Sequence, residues 1–151
     1  MSQADPSKSN LAMVRQFYEA TDRGSETALT QLLHPDFIAH EAASLPYAGR
    51  FAGMAGLLKL LEQLGDAWSE MDATEFDYVA SGESVVASFR LRATSRSTGR
   101  TIDQRICEYW KFRDGQAVHL QPFYFDAHLV WEACRSRVTP GNQIAQSIHR
   151  T

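Results

Sequence analysis

The sequence lacks the features that mark secreted and membrane proteins. It has only two cysteines, Cys107 and Cys134, among 151 residues, so a secreted scaffold held by several disulfides is not expected. Its most apolar helical stretch, near residues 57–64, carries two charged side chains and is far shorter than the roughly 20 apolar residues that span a bilayer. No signal-peptide pattern opens the chain. We therefore expect a cytoplasmic protein that does not bind membranes.

An excess of positive charge is also missing. Fifteen Lys and Arg residues stand against eighteen Asp and Glu residues, and the net charge is −3, so we expect no nucleic-acid partner. Neither the glycine-rich loops that bind nucleotides nor the G-x-S-x-G sequence of serine hydrolases occurs. The segment His40–Ser44 begins like the zinc motif H-E-x-x-H but ends in serine, and the other histidines lack ligand spacing. We therefore expect neither a metal nor an organic cofactor.

What the sequence does contain is two kinds of hydrophobic periodicity. Helical spacing of apolar residues predicts three N-terminal helices, over about residues 11–23, 26–33 and 53–68, with a short strand at 37–41. Beyond residue 72 the period becomes two. It predicts four antiparallel strands joined by tight turns, over about residues 73–80, 85–94, 101–113 and 117–125. Helices followed by a meander of strands predict an α+β fold in which the helices cover one face of the sheet.

The ends of the chain differ in composition from its middle. Residues 1–9 are small and polar and are expected to form a flexible leader. Residues 134–151 are also polar and are expected to form a loosely packed tail. Residues 10–133 are expected to form a single domain, because a chain of 151 residues suits one hydrophobic core.

Glu108 is the first candidate functional residue. On the predicted strand 101–113 it shares a face with Ile106 and Trp110, although burying an unpaired carboxylate is costly. Such a group either gains a partner or takes up a proton, and both outcomes mark candidate sites. Two interpretations stay open: a pocket carboxyl group, or a buried ion pair with an arginine such as Arg90 or Arg92.

His40 and Glu41 form the second candidate position. Because they are neighbours on a short predicted strand, their side chains point to opposite faces of the sheet. At most one of them faces the concave side, and the alternation alone does not decide which.

Four segments occur in a characteristic order along the chain. They are Leu33–Glu41, Pro46–Arg50, Glu108–Gly115 and Pro122–Asp126. Together they resemble the SnoaL-like branch of the nuclear transport factor 2-like superfamily, which includes ketosteroid isomerases, limonene epoxide hydrolases and polyketide cyclases. The resemblance covers about residues 11–130. It implies a cone-shaped barrel of a strongly curved, mainly antiparallel sheet wrapped by the three N-terminal helices, with an apolar pocket open at one end.

The resemblance also implies roles for the two carboxyl groups. Glu41 falls where ketosteroid isomerases keep their general base, and Glu108 falls where they keep a protonated acid that binds the oxyanion. Their tyrosine donor falls on Phe17, and Tyr18 or Tyr124 is the expected replacement for it. The catalytic aspartate of the epoxide hydrolases and cyclases falls on Phe123. The resemblance therefore does not select one of these reactions. It further implies a homodimer formed on the outer face of the sheet, where Cys107 and Tyr109 stand among charged side chains.

Two functional hypotheses follow. The first is a cofactor-independent enzyme of the isomerase, cyclase, dehydratase or hydrolase type that transfers a proton on a small, largely apolar molecule. In it Glu41 is the base and Glu108 is a hydrogen-bond donor assisted by Tyr18 or His40. The side chains expected to contact the substrate are Phe17, Tyr18, Leu61, Phe89, Ile106, Trp110, Phe123 and Asp126. The second hypothesis is a non-catalytic ligand-binding or dimerisation module, because one fold can host either function.

Overall fold

The computed structural model describes residues 4–135, which form four helices and six strands. The helices are α1 (Ser7–Arg23), α2 (Glu26–Leu32), α3 (Gly53–Ala67) and α4 (Ala127–Cys134). The strands are β1 (Leu33–Glu41), β2 (Gly49–Ala52), β3 (Trp68–Ser81), β4 (Ser84–Ser95), β5 (Thr101–Arg113) and β6 (Gln116–Tyr124). The predicted α+β class is confirmed.

All six of these strands belong to one mixed sheet in the order β2-β1-β6-β5-β4-β3. Neighbouring strands are antiparallel except β1 and β6, which are parallel. The sheet does not close into a barrel, because β2 and β3 remain as its two edges. Helix α3 follows β2 at one edge, packs on β1, and runs directly into β3 at the other edge. It therefore lies across the face of the sheet that carries the core.

Glycines and small polar residues end the elements where the sequence predicts. Gly24 adopts a left-handed conformation at the end of α1, and Ser25 Oγ accepts a hydrogen bond from the Ala28 amide at the start of α2. Asp114 and Gly115 both have positive φ values, 49° and 75°, as a type I′ turn between β5 and β6 requires. The predicted strand meander follows from these turns.

The strands alternate between buried and exposed side chains. On β4 the buried positions include Val85, Ala87, Phe89 and Leu91. On β5 they are Ile102, Gln104, Ile106, Trp110 and Phe112. Helices α1 and α3 cover this face with Val14, Phe17, Leu57 and Leu60. This alternation puts Glu108 on the same face as the core, as its sequence neighbours predict.

Several boundaries differ from the sequence-based expectations. Helix α1 begins at Ser7, so residues 7–9 of the expected leader are helical. Helix α4, which was not predicted, ends at Cys134, so the expected tail lies almost entirely outside the described residues. Across residues 4–135 no helix combines the length and apolar character needed to cross a membrane.

Candidate active site

Glu41 and Glu108 lie on strands that flank β6. Both stand on the concave face of the sheet, which is the face that carries the core and is covered by α1 and α3. Glu108 pairs with Pro122 in the β5–β6 ladder. Ala39 pairs with Leu120 in the parallel β1–β6 ladder, and continuing that register by two residues brings Glu41 level with Pro122. Because the side chains two positions apart on a strand share a face, the two glutamates project from the same side of the sheet, with the Pro122 ring between them.

Glu108 is held by an aromatic hydrogen-bond chain. Tyr18 Oη on α1 donates to Glu108 Oε1 at 2.7 Å, and Trp110 Nε1 donates to Tyr18 Oη at 3.2 Å. Unlike its neighbours Ile106 and Trp110, Glu108 keeps part of its surface exposed. Burial raises the pKa of Glu108 to about 7, and the hydrogen bond from Tyr18 opposes that rise. Glu108 is therefore an oriented carboxyl group that titrates near neutral pH.

Glu41 is buried without any such support. Only 4% of its surface is exposed, and its Oε2 atom has no hydrogen-bond partner among residues 4–135. Burial, together with the negative charge of Glu108, raises the pKa of Glu41 to about 8. Among residues 4–135 the Oε2 atom of Glu41 lacks the kind of hydrogen bond that Glu108 receives from Tyr18, so burial favours the protonated form of Glu41 more strongly.

Aromatic rings form one wall beside Glu108. Phe17 packs edge-on against Trp110 with the ring centroids 4.7 Å apart. Tyr18 contacts Phe76 at 5.3 Å, and Phe76 stacks on Phe89 at 5.0 Å. Phe76 is 38% exposed, so this aromatic wall reaches the protein surface at one side. Apolar side chains around a polar centre are typical of sites for small organic molecules.

A second polar group lies near Glu41. Tyr47 Oη, from the loop between β1 and β2, is 2.6 Å from Tyr124 Oη on β6, and Trp68 Nε1 donates to Tyr47 Oη at 3.4 Å. Burial is the main factor that raises the pKa of both tyrosines above the ordinary value, and the charge of Glu41 adds to it. Both hydroxyl groups therefore keep their protons at neutral pH.

Comparison with known proteins supports the resemblance. The family model for the SnoaL-like domain matches residues 14–120, which is most of the chain. The chain belongs to the SnoaL-like domain family. A search of curated protein sequences found no match.

Solved structures share the fold of this SnoaL-like protein. An NTF2-like protein from Burkholderia xenovorans LB400 is 22% identical and has a TM-score of 0.81, over 87% of this chain and 100% of that one. A putative SnoaL-like polyketide cyclase from Jannaschia sp. CCS1 is 14% identical, with a TM-score of 0.76 over 91% and 99% of the two chains. TerC, co-crystallised with polyporic acid, is 20% identical, with a TM-score of 0.75 over 85% and 99%. These structures establish an NTF2-like fold.

Most of the predicted site residues come together in this SnoaL-like domain. Tyr18 contacts Glu108 directly, and Phe17, Phe89 and Trp110 belong to the aromatic wall described above. Ile106 is buried on the same face of β5, two residues before Glu108. Leu61 of α3 is partly buried against the core.

Three predicted residues lie apart from the two carboxyl groups. His40 is exposed on the outer face of the sheet, beside Arg50 and His119, because Glu41 takes the concave face. Phe123 is 55% exposed on the outer side, since its neighbours Pro122 and Tyr124 on β6 face inward. Asp126 caps α4, where its Oδ1 accepts hydrogen bonds from the amides of residues 128 and 129. None of the three contacts Glu41 or Glu108.

The expected alternative partners of Glu108 are engaged elsewhere. Arg90 Nη2 lies 2.6 Å from Asp103 Oδ2, and Arg92 Nε lies 3.6 Å from the same oxygen, on the exposed face of the sheet. Within residues 4–135 no salt bridge involves Glu108, and no cluster of three or more His, Cys, Asp or Glu side chains is arranged to hold a metal ion. The interpretation of Glu108 as an ion pair with Arg90 or Arg92 is therefore wrong.

Tyr47 and Trp68 were not predicted as site residues. Tyr47 and Tyr124 stand in segments that carry the family resemblance, and Tyr124 has an expected role only as a replacement, like Tyr18, for the tyrosine donor that falls on Phe17. The available signal was the alternation of β6, which puts Tyr124 on the same face as Leu120, although the face of that strand was not fixed by the sequence.

Proposed function

We propose that this protein is a cofactor-independent enzyme that transfers a proton on a small, largely apolar molecule. The observation that carries the proposal is the pair Glu41 and Glu108, two carboxyl groups on the concave face with pKa values raised to about 8 and about 7. General acids and bases are most effective when their pKa lies near the working pH, and strongly perturbed groups cluster at functional sites. The likeness to a putative polyketide cyclase agrees with this function.

Within the pair we assign the base to Glu108 and the acid to Glu41. The hydrogen bond from Tyr18 stabilises the charged form of Glu108, whereas Glu41 Oε2 has no donor among residues 4–135, so we assign the retained proton to Glu41. This assignment exchanges the roles implied by the resemblance to ketosteroid isomerases. In the reaction the Glu108 carboxylate accepts a proton from a carbon atom of the substrate, and protonated Glu41 donates to the atom that gains negative charge.

The aromatic wall supports an apolar substrate. Contact with Phe76, Tyr18 and Phe89 would remove the apolar surface of such a molecule from water beside Glu108. Exclusion of water also strengthens the hydrogen bonds made inside the site.

A deuterium-exchange experiment tests this function. The probe is 2-tetralone, a small apolar ketone whose C–H bonds beside the carbonyl exchange in D2O, and the exchange is followed by proton NMR. We expect the wild-type protein to accelerate exchange above the buffer rate. We expect Glu108→Gln to reduce that acceleration by about 10² to 10⁴-fold, the range of general-base catalysis. Glu62→Gln, at an exposed position of α3, is the matched control and should not change the rate.

The pH dependence gives a second measurement. Exchange should rise as Glu108 loses its proton near pH 7 and fall as Glu41 loses its proton above about pH 8, which gives a bell-shaped profile whose apparent pKa values belong to the coupled pair. Equal exchange rates for the wild type and Glu108→Gln would refute catalysis. Saturable binding of 2-tetralone without exchange would instead support the non-catalytic ligand-binding module.

A further inference from the structure

A groove crosses the outer face of the sheet, on the side opposite the two carboxyl groups. Its volume is about 460 Å³, within the size range of pockets for small molecules. Side chains from four neighbouring strands line it: Arg50 from β2, His40 from β1, His119 from β6 and Lys111 from β5. The proposed proton transfer uses none of these residues.

The groove lies where the sheet loses its regular register. On β5, Lys111 pairs with His119 and the next residue pairs with Ala117, so Val118 is an extra residue of β6. Opposite Val118, residues 34–37 of β1 also have no register partner on β6. Bulges re-aim side chains and are over-represented next to active sites. The backbone itself therefore shapes this groove.

Positive charge exceeds negative charge in the groove, although the chain as a whole has a net charge of −3. The carboxylates that line it are Asp36 and Glu83, and Arg113 Nη1 lies 3.3 Å from Asp36 Oδ2. Arg50 and Lys111 make no salt bridge within residues 4–135. Two cations in the groove are therefore available to an anion from solution.

The order of the strands arranges four donors around the middle of the groove. His40 pairs with Arg50 across the β1–β2 ladder, and His119 pairs with Lys111 across the β5–β6 ladder. Because β1 and β6 are neighbours, the two imidazoles stand in the middle, with one long cationic side chain on either side. Arg50 and Lys111 are three strands apart, about 14 Å at their backbones, a span that two extended side chains and one bound group can fill.

We propose that this groove binds the phosphate group of a small phosphate monoester. Such a group carries a charge of about −1.5 to −2 at pH 7 and three acceptor oxygens, which suits two available cations. The guanidinium group of Arg50 can bind two of these oxygens at once, and each imidazole has an N–H donor in either protonation state. A carboxylate has a single charge and would leave one cation unmatched.

The organic part of the ligand has a place beside these donors. Ile38 and Val118 also line the groove and provide apolar surface for a ring or a short chain. The site does not depend on the proposed function, since it lies on the opposite face of the sheet from Glu41 and Glu108.

Titration of the ¹⁵N-labelled protein with phenyl phosphate tests the site. Amide shifts in two-dimensional NMR spectra locate the binding surface, and their concentration dependence gives the Kd. We expect saturable shifts at residues 36–40, 50, 111–113 and 118–119. Benzoate, which has the same ring but a single negative charge, should bind about tenfold more weakly, the effect of one charge-assisted hydrogen bond.

Arg50→Gln and Lys111→Gln should each weaken phenyl phosphate binding by about tenfold or more. The matched control is Arg92→Gln, which removes the same charge from the same face of the sheet, where Arg92 Nε lies 3.6 Å from Asp103 Oδ2. It should change the Kd by less than about twofold. All three substituted side chains are exposed, so the core should remain intact in each variant.

The outcomes that would overturn the site are distinct. An equal loss in Arg92→Gln and Arg50→Gln would show a long-range effect of charge, and shifts confined to the concave face would place the probe at the carboxyl pair. Equal affinity for benzoate would overturn the phosphate assignment. Sedimentation of each variant should give the mass of the wild type. A changed mass would place the groove in a contact between two copies of the chain and overturn the ligand site.

Discussion

Replacing Glu41 by glutamine should stabilise the protein at alkaline pH and leave it nearly unchanged at acidic pH. The pKa of Glu41 is about 8 in the folded protein and 4.5 in its ordinary state. Below pH 4.5 the carboxyl group is protonated in both the folded and the unfolded chain. Between pH 4.5 and 8 only the unfolded chain releases the proton, so the folded chain binds more protons and the free energy of unfolding falls as the pH rises.

The size of the effect follows from the same values. Each pKa unit corresponds to 1.36 kcal/mol, so a rise from 4.5 to about 8 gives an upper bound of about 5 kcal/mol at pH 8. A neutral acid and an amide have nearly the same shape, and neither gains a partner at this position. We therefore expect Glu41→Gln to exceed the stability of the wild type by less than about 1 kcal/mol at pH 5 and by about 2–5 kcal/mol at pH 8.

Urea unfolding at pH 5, 6, 7 and 8 measures this difference. The matched control is Glu62→Gln, which removes an exposed carboxylate from α3 and should give the same difference from the wild type at each pH. Glu108 also lowers the free energy of unfolding as the pH rises to about 7, and the Glu41→Gln protein should keep this decline. A constant destabilisation of Glu41→Gln across this range would refute the reasoning. So would wild-type stability that increases with pH, because it would require a cation beside the carboxylate.

Four further outcomes are expected. Gly56→Ala should destabilise the protein by at least about 1–3 kcal/mol in urea unfolding, because a Cβ atom there would lie 2.5 Å from the carbonyl carbon of Phe51. Gly65→Ala in the same helix, where nothing lies within 4 Å, should stabilise it by about 0.5–1 kcal/mol. Tyr18→Phe should raise the pKa of Glu108, because it removes the opposing hydrogen bond, and an infrared titration of the carboxyl band would detect the shift. We propose a homodimer, for which sedimentation should give twice the 16.9 kDa of one chain; a single species of one chain's mass at micromolar concentration would contradict it.

The local elements could be predicted because their signals are local. The aromatic and aliphatic stripe of α1, the turn at Asp114–Gly115 and the alternation of β5 each depend on residues a few positions apart. The parallel pairing of β1 with β6 has no such signal, because residues about 80 positions apart come together only when the sheet curves. Helix α4 had a local signal in the capping residue Asp126, but its eight residues are too few for a convincing period.

The residues of the candidate site also differ in whether a local sequence signal predicts them. Glu108 could be placed on the concave face because Ile106 and Trp110 fix the orientation of β5. The choice between His40 and Glu41 could not be made from the sequence. Their side chains point to opposite faces of the sheet, and the short strand has no pattern that shows which face carries the core. The hydrogen bonds that join Tyr47, Trp68 and Tyr124 could not be predicted, since these residues meet only where a loop, an edge strand and a central strand converge.

The stability of the fold does not explain why a glutamate stands at position 41. Its carboxyl group has no hydrogen-bond partner at Oε2 in the described part of the chain, and its raised pKa destabilises the folded state at neutral pH. An apolar side chain or an amide in the same space would remove that cost, since replacing buried charged groups by neutral ones is often stabilising. Residues that break a rule of stability without local compensation concentrate at functional sites. Glu41 is therefore the feature of this fold that points most directly to a ligand, because a bound oxygen atom would give its proton an acceptor that residues 4–135 do not supply at Oε2.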